Sequence, residues 1–191
     1  MFHEVQDIIA ERRRLHARPA VDQVPPVLGT FIVQVDTNPA VYGARARSVL
    51  DAAYKIAETT DFDESPLPTT GIPSWFAQVS QDGSEAVPPF AAQGRDVYLR
   101  DHGDAVWSLQ GWLYQFEPEE SARGWAWWDM TQTSADQVCV WVDTWGESFI
   151  GSQDIRWLLC TAGARSVSEY ALVKSDGWLD QSTIPSEQAP S

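Results

Sequence analysis

Gly124-Trp125-Ala126-Trp127-Trp128-Asp129-Met130, followed by Gln137-Val138-Cys139-Val140-Trp141-Val142-Asp143, is the stretch that decides the fold. Both runs are short and rich in β-branched and aromatic residues. The segment Thr131–Asp136 between them can turn, so the two are predicted to form an antiparallel pair. In the second run Val138, Val140 and Val142 share one face while Cys139 and Trp141 share the other, so that strand is expected to be covered on both sides. The first run raises the same issue, because the adjacent Trp127 and Trp128 point to opposite faces and cannot occupy one core.

Downstream of this pair the period changes. Ile155, Leu158, Leu159 and Ala162 follow helical spacing over residues 152–164, with Ser152 as a cap, Asp154 in the first turn and Gly163 at the C-terminal end. Ser166–Lys174 then reads as a last strand. Upstream, Asp96–Asp101 alternates with Val97 and Leu99 on one side. Ala105–Glu117 carries Trp107 and Leu109 in one phase and Trp112, Tyr114 and Phe116 in the other. The phase changes at Gln110-Gly111, as it would across a glycine β-bulge.

The proline-rich segment Asp61–Pro73 and the clusters Asp82-Gly83 and Pro88-Pro89 read as loops. Before them, residues 2–17 suit an amphipathic helix with Phe2, Val5, Ile8, Ile9 and Leu15 near one stripe and its arginines late, where they complement the helix C-terminus. Val27–Val35 alternates as a strand with Phe31, Val33 and Val35 on one face. Asn38 caps, and Pro39 opens, a helix that buries Tyr42, Ala46, Val49, Ala53 and Ile56 and ends near Thr60.

Sixty residues with a single strand would leave that strand unpaired, so residues 1–180 are read as one domain. Residues 1–60 form its mostly helical part and residues 93–174 its β-rich body, and the polar segment 181–191 is read as a loose tail. The fold class is α+β: a twisted antiparallel sheet in the C-terminal two-thirds, packed by the N-terminal helical segment and one late helix.

The 191 residues carry 13 basic and 27 acidic side chains, a net charge of −14. The imbalance lies beyond residue 55, where six basic residues face 21 acids. Such a surface repels phosphate backbones and anionic lipid, which argues against nucleic-acid and membrane partners and suits a basic protein partner. No apolar run approaches the ~20 residues of a bilayer span, and Met1–Asp7 lacks the pattern of a secretory signal. Cys139 and Cys160, each in an apolar segment, are expected to be buried thiols. These features point to the cytoplasm. The scarcity of lysine and asparagine (Lys55, Lys174 and Asn38) suits a GC-rich, bacterial coding sequence.

Chemistry-bearing motifs are sparse. His3, His16 and His102 fall in no metal-ligand spacing, there is no phosphate-binding loop or dinucleotide fingerprint, and Ser148 between Gly146 and Gly151 does not fit a nucleophile elbow. His102 lies in an acidic turn with no nucleophile in view. No catalytic residue, metal or cofactor is therefore expected. Carboxylates are abundant (Glu117, Glu119 and Glu120 near a turn, and Asp129, Asp143 and Glu147 near strand ends), but spacing alone brings no two of them together as glycoside chemistry requires.

Tryptophan is the exceptional feature: ten residues, eight of them between Trp107 and Trp157. Trp107, Trp112 and Trp141 are expected to fill the core, whereas Trp157, beside Arg156, falls on the polar side of its helix. Indoles next to acids resemble the composition of binding hot spots. The candidate partner-binding residues are Asp143, Trp145, Glu147, Trp127, Trp128, Asp129, Glu117, Glu119 and Glu120. Trp145 either anchors a partner from a surface turn or folds back over the sheet edge.

The function expected is that of a non-enzymatic, acidic protein-binding domain. Small acidic bacterial immunity proteins and antitoxins, which neutralise a basic toxin, are the model by size and composition. A small-molecule or carbohydrate binder with a Trp-lined cleft is the alternative, and a phage or other assembly protein the third.

Overall fold

The computed structural model describes residues 3–63, 65–81, 86–103, 106–118 and 123–185. Its sheet comprises β1 (Val27–Val35), β2 (Ala126–Ser134), β3 (Gln137–Asp143), β4 (Ala164–Val167) and β5 (Ala171–Lys174). The central strand β1 comes from the N-terminal third of the chain. It pairs with β3 from Gly29↔Val142 to Gln34↔Gln137, and β3 pairs in turn with β2. On its other side β1 receives β4 along its C-terminal half and β5 along its N-terminal half, and every pairing is antiparallel. The single strand expected over Ser166–Lys174 is thus two short ones. At the break the Ser168 hydroxyl accepts the Ile32 N–H (2.9 Å) while Ser168 N–H donates to the Ile32 carbonyl (2.8 Å).

The helices among the described residues are α1 (Val5–His16), α2 (Pro39–Thr59), α3 (Ser74–Val79), α4 (Pro89–His102), α5 (Leu109–Leu113), α6 (Gln153–Thr161) and α7 (Asp176–Leu179). None is long and apolar enough to cross a membrane. The fold is α+β. In α2 the Asn38 side chain accepts the Ala40 N–H at 2.8 Å ahead of Pro39. Gly163, with φ +113°, closes α6 by donating to the Cys160 carbonyl. Ser152 does not cap that helix through its side chain; its hydroxyl accepts Arg156 Nε at 3.2 Å instead. Phe2 lies outside the described residues.

Two segments expected as strands are helical. Val97 and Leu99 do alternate, but Ala91, Gly94, Val97 and Tyr98 are the positions buried, which is the spacing of helix α4. Pro88-Pro89, expected to be a loop, supplies its start, since proline at the first helical position has φ already set. Likewise Leu109, Trp112, Leu113 and Phe116 are buried at helical spacing across α5 and the following 3₁₀ turn Tyr114–Phe116. Gln110-Gly111 is no bulge: it is the first turn of α5, where Gly111 N–H donates to the capping Ser108 hydroxyl. In both places, Asp96–Asp101 and Ala105–Glu117, apparent alternation did not separate the two periods.

The sheet is covered on both faces. Phe31, Val33, Val138, Val140, Val142, Trp127 and Met130 face the larger core beneath the helices, whereas Leu28, Cys139, Trp141, Trp128 and Trp178 form a smaller core on the opposite face. Trp127 and Trp128 are therefore both buried, in different cores. An irregularity in β2 between Trp127 and Asp129 puts Trp128 and Asp129 on the same face, as a β-bulge does.

Trp157 is also interior, contrary to expectation. Its ring lies 5.1 Å from that of Tyr98 and Nε1 donates to the Ser80 hydroxyl, because α6 is enclosed along its whole length. Trp112 and Trp141 are core residues as expected, and Trp107 is half-buried, donating to the Tyr98 hydroxyl at 3.0 Å. Cys139 and Cys160 belong to opposite faces of the sheet and remain thiols, each pushed up to about 12 by burial. Residues 181–185 are not loose. Ile184 is buried, its N–H donates to the Met130 carbonyl, and Thr183 bridges to Thr131.

Candidate functional site

Helix α1 carries an acid on its apolar stripe: Ile8, Glu11 and Leu15 are its buried positions. Glu11 accepts from both terminal nitrogens of Arg123 (3.1 and 3.2 Å), from the Tyr54 hydroxyl (2.8 Å), from the Trp127 backbone N–H (2.7 Å) and from His3 Nδ1 (3.1 Å). The Arg123 guanidinium also lies over the rings of Phe116 and Trp125. Burial pushes the Glu11 carboxyl up, but Arg123 and the hydrogen bond from His3 outweigh it and hold the group at about 2. The carboxylate is therefore ionised at neutral pH, which places a proton on His3 Nδ1. His3 Nε2 is buried and has no partner among the described residues.

This cluster forms the floor of a cavity of about 290 Å³. Asp7, Glu11 and Arg14, one face of α1, line one wall. Ala126 and Asp143, cross-strand partners at the end of the β2–β3 ribbon, line another, and Trp145 closes the rim. Arg14 is fixed by donating from Nε to the Trp127 carbonyl at 2.7 Å, with its guanidinium over the Trp128 ring. Asp7 accepts the Glu4 N–H and so belongs to the capping box of α1.

The rim is a short structured turn. Asp143 Oδ1 accepts the Trp145 N–H at 2.8 Å, and Glu147 N–H donates to the Thr144 carbonyl. Beneath them the buried Thr144 hydroxyl meets the Tyr170 hydroxyl at 2.9 Å, and Tyr170 donates to the Glu147 carbonyl at 2.6 Å. Trp145 adopts φ +53° and Gly146 φ +83°. A bulky residue in the left-handed region is held there by its surroundings. Its indole meets the His3 ring edge-on at 5.2 Å yet is 39% exposed, so it covers the sheet end and faces solvent as well. Four residues on, Phe149 is 89% exposed. A second cavity of about 450 Å³ lies between Trp145, Glu147 and Phe149 on one side and Gly124 and Ile150 on the other.

Of the residues expected to meet a partner, the structure brings Asp143, Trp145 and Glu147 together on this turn. Trp127 and Trp128 are core residues, and Asp129 is buried with oxygens accepting from Trp178 Nε1, the Thr183 hydroxyl and Met130 N–H. All three side chains are therefore buried in this structure. Glu117 is half-buried and distinct from the turn, and Glu119 and Glu120 lie outside the described residues. His102 ends α4 with its ring 5.0 Å from that of Tyr98. Among the described residues no group of three or more His, Cys, Asp or Glu side chains is placed to hold a metal ion.

Phe149 and the Glu11 cluster were not expected from the sequence. The only advance signal for Glu11 was an acid at a stripe position of a short helix. No family model matches the chain, no curated protein is similar to it, and no solved structure matches it.

Proposed function

We propose that this protein is a non-enzymatic binding domain for a basic protein partner, which it engages through the turn at residues 143–149. An immunity protein or antitoxin that blocks a basic toxin is the specific form of this reading. The observation that carries it is the alternation Asp143, Trp145, Glu147, Phe149, in which two exposed aromatic side chains are interleaved with two carboxylates on a turn anchored from below. Aromatic anchors give affinity where they become fully desolvated, and the flanking charges give rate and selectivity toward cations. The net charge of −14 extends the same preference over the whole molecule. A tryptophan-lined sugar cleft is less well supported, since Trp145 is the indole on the walls of the two cavities flanking this turn.

The test starts from proteins of the source organism retained by the wild-type chain and lost by the Trp145→Ala/Phe149→Ala variant. A basic protein among them is purified and titrated against each variant. Either single substitution is expected to weaken that complex by about 2 kcal/mol or more, roughly 30-fold, while the exposed positions leave the melting temperature within a few degrees. Reversing Asp143 and Glu147 to lysine should mainly slow association and flatten its salt dependence. A folded double variant with undiminished affinity refutes the assignment of this turn.

A further inference from the structure

A third cavity, with an electrostatic character opposite to that of the first, lies at the other end of α1. Its volume is about 300 Å³ and its walls include Arg14, Arg18 and Arg47 together with Thr183 and Pro185. Arg47 projects from α2 and is only 6% exposed. Among the described residues its Nε has no partner, and Nη1 makes one long bond, 3.4 Å, to the Pro185 carbonyl. Burial pushes this guanidinium below its ordinary value, against the pull of Asp129.

Its neighbours do not satisfy it. Asp129, 3.9 Å from Arg18 Nη1, is also engaged by Trp178 and Thr183. Arg18 donates to neutral oxygens of Trp178, Gln181 and Thr183, Arg14 donates to the Trp127 carbonyl, and His16 on the rim is paired with Asp51. Among the described residues, three guanidinium groups and no carboxylate line this cavity, in a chain that is strongly acidic overall. A buried arginine normally meets a planar oxyanion through two parallel N–H donors, and here Nε–H is idle. The geometry points to a binding site for a small oxyanion, a phosphate or carboxylate group, at the junction of α1, α2 and residues 183–185. The site is separate from the turn at residues 143–149 and does not depend on the function proposed for it.

Two sources share this chemistry: a dissolved anion, and the chain's own Glu187, two residues beyond Pro185 in the sequence. The full-length protein is titrated with inorganic phosphate against chloride at matched ionic strength, with the melting temperature as the readout. A dissolved anion predicts a saturable rise of about 3–5 °C at phosphate ten times its dissociation constant. That response should vanish in Arg47→Met and weaken about tenfold in Arg47→Lys, which keeps the charge but loses the fork. If the wild type is insensitive and Glu187→Gln gains the response, the oxyanion site stands and the chain supplies its own ligand. The site is refuted if neither protein responds, or if Arg47→Lys, folded as the wild type, binds phosphate equally well.

Discussion

Glu11→Gln will lower the melting temperature by roughly 10 °C, the equivalent of about 3–5 kcal/mol in a chain of this size. Glutamine matches the shape and still offers one acceptor, but it leaves the Arg123 guanidinium enclosed by aromatic rings without a counter-charge. The effect has a pH signature. With the folded-state carboxyl at about 2 against an ordinary 4.5, Glu11 stabilises the protein fully above pH ~4.5 and loses that contribution, on the order of 3 kcal/mol, as pH falls toward 2. Asp154 acts in the opposite sense. Burial raises its carboxyl against the hydrogen bond from Trp125 Nε1, so its ionisation costs stability as pH rises. The comparison that isolates Glu11 is therefore the difference between wild type and variant, which should be large at pH 7 and shrink toward pH 2. Equal melting temperatures at pH 7 would refute the role assigned to this cluster.

Gly94→Ala is the second large effect, and its sign is diagnostic. In an exposed helix this change is stabilising by about 0.5–1 kcal/mol. Here a Cβ would fall 1.9 Å from the Cys160 carbonyl oxygen and 2.9 Å from the Thr161 Cα, and both are backbone atoms that no side-chain rotation can remove. Helices α4 and α6 would have to separate, which repacks Tyr98 against Trp157 and costs on the order of 3 kcal/mol. Urea unfolding of the two proteins checks it. A variant as stable as the wild type would mean that the two helices are not in this contact.

What the sequence disclosed follows the reach of each signal. β1 and β3 were legible because their alternation is carried by β-branched residues, and α2 because its period runs through 21 residues and Asn38-Pro39 marks its start. The separation of Trp127 from Trp128 followed from strand parity alone. α4 was misread because Gly94 interrupts its apolar stripe, and α5 because the polar pair Gln110-Gly111 read as a change of strand phase. The Asp143–Glu147 turn was legible as a surface feature because it joins a strand to a helix. Glu11 and Arg123, 112 residues apart, were not, since a buried ion pair is a tertiary event with no local period. The same holds for Arg47, whose hydrogen bond goes to the Pro185 carbonyl, 138 residues away.

The segment that follows α7 bears on how the proposed partner would be recognised. Ser182 and Ile184 exchange backbone hydrogen bonds with Gln132 and Met130, so the outer side of β2 is already occupied by the protein's own chain. On the opposite margin β4 and β5 are four residues each, interrupted at Ser168, and Arg165 is tied to Asp36 and Asp136. Short, charged, discontinuous strands are poor templates for an incoming strand. Main-chain augmentation of the sheet, the least sequence-selective form of peptide capture, is thereby disfavoured at both margins. In the binding function proposed above, recognition would be left to side chains, and discrimination among partners would depend on the few residues of the turn rather than on the sheet that supports it.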